Sequence, residues 1–263
     1  MGTILQTIDL KRYFGDTRAV DNVSLSVEEG EFVSLVGPNG AGKTSLINVI
    51  TAHLMAGSGT ILFQGKDITK ASVTERVKLG IARSFQIVNV FDDLSTFDNV
   101  ALAIFSREGK TAHLGALAHR DQAVIAEADD ILGQFGLAGK RDDSARDLAQ
   151  GERKLLDVAL AYALKPKLLF LDEPTSGVST RNKAQIMDTI ANVVRGHGIT
   201  AVIVEHDMDV VFKYSDRIVV MAQGAVMAQG TPDEIRKNEQ VAMTLLGTSG
   251  PDAFARDTFP QKD

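Results

Sequence analysis

Two clusters in this chain have the residue types and spacing of phosphate chemistry. Gly37-Pro38-Asn39-Gly40-Ala41-Gly42-Lys43-Thr44 is a glycine-rich loop closed by a lysine and a hydroxyl residue, with Ser45 next. It satisfies G-x-x-x-x-G-K-[ST] at every fixed position. Glycines let the main chain approach phosphate oxygens, so that successive N–H groups make an anion nest. The helix expected to follow adds the positive end of its dipole. Lys43 supplies a mobile ammonium for the β- and γ-phosphates, and the Thr44 hydroxyl is a hard oxygen suited to Mg²⁺. The pattern specifies a nucleoside triphosphate and is silent on how its energy is used.

The second cluster is Leu168-Leu169-Phe170-Leu171-Asp172-Glu173, an apolar run ending in two carboxylates ahead of Pro174. Ligands of open α/β sheets sit at the ends of parallel strands. There Asp172 is placed to hold Mg²⁺ through a water, and Glu173 to act as general base on the attacking water. His206 follows a further apolar run, Thr200–Val204, and Gln86 follows another over 81–85. A lone histidine or glutamine in such a place carries no assignment by itself.

These residues need a scaffold that feeds a loop from a buried strand into a helix. Phe32–Val36 is an almost continuous apolar run, the mark of a strand buried on both faces, and 45–52 reads as the helix after the loop. Strand, glycine loop and helix make up the phosphate-binding unit of α/β proteins. Ahead of it, Ile4, Gln6, Ile8 and Leu10 alternate with other residues, and 20–27 alternates again. Both read as antiparallel strands with one wet face. Later, 168–171 and Thr200–Val204 read as buried strands separated by helical stretches such as 183–194, which argues for a mostly parallel core sheet. Arg217–Ala222 and 225–228 flank Gln223-Gly224, a hairpin signal. Thr231, Pro232 and Glu234 form a helix start with N-cap, first-position proline and capping-box acid.

The stretch 89–165 has another character. Val124, Ala128, Ile131, Leu132 and Phe135 share one helical face, and no convincing strand pattern is present. It reads as an inserted helical subdomain, in which 106–120 is a surface loop or a short irregular helix. The expected fold class is α/β, with a mostly parallel core sheet, an antiparallel β subdomain and this helical insertion. One nucleotide-binding domain is expected over 1–249, followed by a loosely held tail at 250–263.

Composition narrows the partners. The 263 residues are 44% hydrophobic, enough for a large core. The formal net charge of −6 argues against nucleic acid as a partner. There is no cysteine, so disulfides and thiolate metal sites are excluded. No apolar run approaches the roughly 18–20 residues that span a bilayer, and the first residues lack the apolar stretch of a signal peptide. A membrane role has to come through a partner.

In their order, the motifs resemble one family, the ABC ATPases: the phosphate loop, Gln86, Leu148-Ala149-Gln150-Gly151-Glu152, the strand ending in Asp172-Glu173, and Val204-Glu205-His206-Asp207. The likeness runs from about Ile4 to Gly247. It implies ATP and Mg²⁺ as ligands and an ABC-type P-loop NTPase fold that hydrolyses ATP. It further implies that Phe14 stacks on adenine, with Tyr13 as the alternative one residue away. Gln86 would ligate Mg²⁺ and sense the γ-phosphate, and His206 would contact that phosphate. The family works as a head-to-tail pair, so Ala149, Gln150, Gly151 and Glu152 would close over the nucleotide of a second, identical or different, ATPase subunit. Gly151 lies at the start of a helix read over 153–164, whose N-terminus can face phosphate. Residues 176–179 would form the loop crossing to that partner. The family's usual signature is Leu-Ser-Gly-Gly-Gln. Here Ala149 stands for the serine whose hydroxyl bonds the γ-phosphate, Gln150 for the first glycine and Glu152 for the glutamine, while Ser179 stands where aspartate is usual.

Within the family, 80–86, 229–235 and 241–247, together with the long insertion at 106–120, resemble the ATPases of branched-chain amino-acid uptake and their relatives for other small polar or carboxylate solutes. That subgroup implies a peripheral subunit on the cytoplasmic face of the inner membrane, docked on permease subunits and served indirectly by a solute-binding protein. A lipopolysaccharide-export ATPase and a soluble, non-transport ABC ATPase are the alternatives. The single phosphate loop, the lack of cysteine and the lack of heptads disfavour the last.

Overall fold

The computed structural model describes residues 2–84, 88–110, 121–247 and 254. The chain divides into two compact units, Met1–Val73 with Ala201–Asp263, and Thr74–Thr200.

In the first unit, strands Thr3–Phe14 and Thr17–Glu28 pair antiparallel across the turn Gly15-Asp16, and Ser58–Phe63 pairs antiparallel with the first of them. The short strand Lys66–Asp67 completes a four-stranded sheet. The expected alternation holds only in part. Ile4 and Leu10 are buried, but Gln6 and Ile8 are exposed, while Leu5 and Thr7 face the core. The ladder shifts register between Thr3 and Leu5, ahead of Gln6 and Ile8, and again between Thr7 and Leu10, where Asp9 takes φ 48° and Leu10 returns to the core. An inserted residue swaps the faces of all that follows it. Thr7 tolerates burial because its hydroxyl donates to Val23 O at 3.1 Å and accepts from Leu25 N at 3.0 Å.

The strand Phe32–Val36 is buried at every residue. It pairs in parallel with Thr200–Val204 on one side and Arg217–Ala222 on the other, and Ala225–Gly230 adds antiparallel to the latter. The hairpin turns through Gln223 and Gly224 at φ 50° and 82°, the positive pair a two-residue primed turn requires. Thr231 caps the helix Pro232–Arg236, and Glu234 returns the bond to the Thr231 N–H at 2.8 Å. Behind these strands, Val36, Val211, Ile218, Val220, Ile235 and Val241 form one apolar cluster. Phe254 packs on it and meets Phe212 edge-on at 5.2 Å. The rest of 250–263 lies outside the described residues.

The second unit holds the parallel strands Ile81–Arg83 and Leu168–Asp172. Its longer helices are Thr96–Glu108, Gln122–Gln134, Gln150–Ala163 and Thr180–Gly196. Asp121 caps the second of these, and Val124, Ala128, Ile131, Leu132 and Phe135 are all buried, as their spacing requires. Two expectations change. The helix read over 153–164 begins three residues earlier, at Gln150. Residues 106–108 belong to a regular helix that stops at Gly109, φ 69°, while 111–120 lie outside the described residues. Between 89 and 165 the described residues form no strand, only an isolated bridge from Ser95 to Ser144. No helix among the described residues is long and apolar enough to cross a membrane.

One ion pair ties the two sheets of the first unit together. Arg217 donates to both Glu31 oxygens at 2.6 and 2.9 Å and to Ser26 O at 2.6 Å. Burial pushes the Glu31 carboxyl up, but the Arg217 bonds and charge and the Glu28 N–H together outweigh it and hold the carboxyl below its ordinary value. A carboxyl so depressed stabilises the fold above its unfolded pKa and loses that contribution as pH falls through the folded one. Glu31→Gln is therefore expected to melt a few degrees lower at pH 7, the effect of losing about 1–2 kcal/mol. The gap from wild type should close as pH drops below 4.5, the ordinary glutamate value. A gap that stays constant from pH 7 to pH 3 in thermal melts would remove the ion pair from this role.

Candidate functional site: the phosphate loop and its carboxylates

The phosphate loop is built by close backbone packing. Gly37 leaves the strand Phe32–Val36 at φ 154°, and a Cβ there would lie 2.3 Å from Met221 O. Gly42 takes φ 100°, and a Cβ there would lie 2.2 Å from Ala19 O. Both glycines are thus required by the neighbouring chain as well as by any ligand. The Gly224 N–H donates to Ala41 O at 2.9 Å, and the Asp21 N–H donates to Gly224 O at 2.8 Å, which pins the loop to the hairpin and to the antiparallel sheet. Gly42 is also the N-cap of the helix Lys43–Ile50 and brings no side-chain acceptor. The first-turn N–H groups consequently keep their capacity for an anion. Lys43 Nζ arches back over the loop, donating to Gly37 O at 2.6 Å and Pro38 O at 3.1 Å. Pro38, Asn39, Gly40 and Thr44 are exposed, and Ser45 is half-buried.

The same unit carries the two other expected contacts. Phe14 ends its strand 45% exposed, with the Arg12 guanidinium 4.8 Å from the ring centroid. Tyr13 is equally exposed, but its hydroxyl is bound to Asp21. A ring tethered at its hydroxyl is less able to reorient over a base, which favours Phe14 of the two. His206 follows the buried Glu205 and is exposed, and Asp207 after it caps the helix Met208–Tyr214.

In the second unit, Asp172 closes a fully buried strand and is itself 2% exposed. Its Oδ2 accepts from Arg83 Nη2 at 2.6 Å. Glu173 comes next, half-buried and at φ 48°, a left-handed conformation costly for a side chain of its kind. Lys154, 4% exposed, donates to Glu173 O at 3.3 Å and to Ser176 Oγ at 3.1 Å. The backbone of the expected base is thereby braced by the helix that begins at the signature. Ala149 is the N-cap of that helix and offers no acceptor, so only half a capping box forms, with Glu152 accepting from the Ala149 N–H at 2.8 Å. Gln150 packs against the loop at 176–179, and a Cβ at Gly177 would come within 2.2 Å of its Nε2. Ala149 and Gln150 are exposed, and Gly151 and Glu152 are half-buried. Gln86 lies outside the described residues.

Reasoning from sequence missed Arg83 and Lys154. The only available signal for Arg83 was a cation inside an otherwise apolar run. Lys154 stood one residue from Arg153 in a stretch that reads as a solvated helix start.

The ABC transporter family profile matches residues 20–176. A probable branched-chain amino acid transport ATP-binding protein of Archaeoglobus fulgidus is 35% identical over 246 residues, covering 93% of this chain and 95% of that one. A high-affinity branched-chain amino acid transport ATP-binding protein of Salmonella typhimurium is 34% identical over 252 residues, covering 93% and 98%. Among solved structures, an ATP-binding cassette of an ABC transporter in its ADP conformation matches with TM-score 0.82 and 31% identity, over 94% of this chain and 100% of that one. A nucleotide-free cassette matches with TM-score 0.78 and 30% identity, over 96% and 97%. By profile, by nearly full-length identity and by fold, the chain belongs to the ABC transporter family, as one of its ATP-binding cassettes.

Proposed function

We propose that this ABC ATPase powers uptake of a branched-chain amino acid or a related small polar or carboxylate solute. It would do so docked on membrane permease subunits at the cytoplasmic face, with a solute-binding protein delivering the cargo. The observation that carries this reading is the end-to-end similarity to ATP-binding proteins named for branched-chain amino acid transport. ATP-driven leucine uptake by vesicles holding the permease, this chain and the binding protein tests it. Uptake that needs ATP but ignores every amino acid offered would move the cargo elsewhere.

The proposed mechanism follows from the chain's own residues. The loop Gly37–Thr44, with Ser45, cradles the triphosphate, and Lys43 exchanges its two carbonyl partners for phosphate oxygens. Phe14 stacks on the adenine. The donor set suits magnesium, since the Thr44 hydroxyl and the Asp172 carboxylate are hard oxygens, with Asp172 acting through a water and Gln86 as a further ligand. Magnesium would supply charge neutralisation on the β- and γ-phosphates. Glu173 takes a proton from the attacking water. His206 contacts the γ-phosphate.

Two such chains, or this chain and a second ATPase, work head to tail. Ala149, Gln150, Gly151 and Glu152 of one lie over the nucleotide of the other. Helix N-termini attract phosphate, and this one begins at Gln150 without a side-chain cap. Residues 1–249 act as one nucleotide-binding domain, and the inserted helices of 89–165 carry the permease contact, where Phe91 is 63% exposed.

Glu173→Gln is expected to bind ATP and hydrolyse it about 10²–10⁴-fold more slowly, the usual loss of a general base. In ATP and Mg²⁺ it should elute as a dimer, and without nucleotide as a monomer. Phosphate release at the wild-type rate would rule Glu173 out as the base. Phe14→Ala should weaken ATP binding several-fold, by about 1 kcal/mol of ring stacking, and spare turnover at saturating ATP. The same loss in Tyr13→Ala alone, by fluorescence titration, would shift the adenine contact to Tyr13.

A further inference from the structure

Asp172 sits where an ion is expensive, at the end of a strand whose residues are all buried. Its counter-ion comes from the neighbouring strand. Arg83 lies opposite Phe170 in the parallel register, and the next residue, Ser84, donates its N–H to Phe170 O at 2.9 Å. From that position the guanidinium reaches along the sheet to Asp172 Oδ2 at 2.6 Å. The two side chains are 7% and 2% exposed, so solvent does little to screen the pair. The guanidinium's bond falls on Oδ2, the other oxygen being left to face away from this contact. Removing one partner of so buried a pair leaves the other as an uncompensated charge.

We propose that Arg83 is a positioning residue for the metal site: it holds Asp172 by Oδ2 in one orientation and so reserves Oδ1 for the water of the bound Mg²⁺. A guanidinium is suited to this because its donors are fixed in a plane, whereas an ammonium is a point charge on a flexible stem. Arg83 also precedes Gln86 by three positions, so one short segment carries both the clamp on Asp172 and the glutamine read as a metal ligand. The inference rests on the reading of Asp172 as the carboxylate that holds the metal's water.

The test uses the full chain with a fluorescent ATP analogue, titrated in EDTA and across a MgCl₂ series, beside thermal melts. Arg83→Met is expected to bind the analogue in EDTA as wild type does. It should need about ten times more Mg²⁺ to reach half of the magnesium-dependent gain in affinity. Arg83→Lys should fall between, at about threefold. If Arg83→Met does not fold, the lysine variant decides. A folded variant whose Mg²⁺ requirement matches wild type overturns the proposal. So does one that weakens binding equally with and without Mg²⁺, since that is a general loss of structure. Asp172→Asn separates the two claims. If it leaves the Mg²⁺ requirement unchanged, the reading of Asp172 fails and the role of Arg83 with it. If it raises the requirement and the Arg83 variants do not, only Arg83 loses its role. The double variant Arg83→Met/Asp172→Asn should need no more Mg²⁺ than Asp172→Asn, because both changes break one interaction. A fully additive double variant also overturns the proposal.

Discussion

A triphosphate held by main-chain donors imposes a constraint that few backbones meet: the donors must be fixed in place while their hydrogen-bonding capacity is kept for the ligand. Here the fixing is done by neighbouring carbonyls. Met221 O and Ala19 O crowd Gly37 and Gly42, and the Ala41 carbonyl is held by the Gly224 N–H. The donors stay available because Gly42, at the N-cap, has no side chain to satisfy them. The hairpin through Gln223-Gly224 and the strand segment at 18–21 are parts of the loop's support, although they are remote from it in sequence.

The second unit solves a different problem, that of keeping charges where apolar strands end. Asp172 is neutralised by Arg83, and Lys154 turns its ammonium onto Glu173 O and Ser176 Oγ. Both cations act on the backbone or carboxylate of the residue read as catalytic or on its neighbour. The left-handed φ of Glu173 is a conformation that needs such external support to persist. The signature departures fit this picture. Gln150 occupies the space beside Gly177, so the residue standing for the usual glycine packs against the loop at 176–179.

How much of this was legible from the residues depended on whether burial left a period. Phe32–Val36, Leu168–Asp172 and Thr200–Val204 are buried on both faces and show it as continuous apolar runs. The face of the helix Gln122–Gln134 was readable for the same reason at period 3.6. Ile8 was misplaced because a register shift carries no compositional mark, and Thr7 buries itself by satisfying its hydroxyl against Val23 and Leu25. The phosphate loop was legible residue by residue, since its chemistry fixes types and spacing together. Arg83 and Lys154 were not. Their partners stand 89, 19 and 22 positions away, and a cation on a strand or helix reads by default as solvated. The boundary at Gln150 was hidden because its cap is an alanine, which carries none of the usual start signals.

The pairing of Phe32–Val36 bears on the order in which the molecule can be made. The strand and its loop are synthesised well before their partners, since Phe32 pairs with Ala201 and Val33 with Arg217. The carbonyl that crowds Gly37 belongs to Met221. A nascent chain therefore carries a complete phosphate-loop sequence, until Met221 is added, without the neighbours that give the loop its shape. Contacts of such separation form late and slowly. The loop gains its full support only when residues through Gly224 have left the ribosome, and a chain cut short before that point retains the motif without its neighbours.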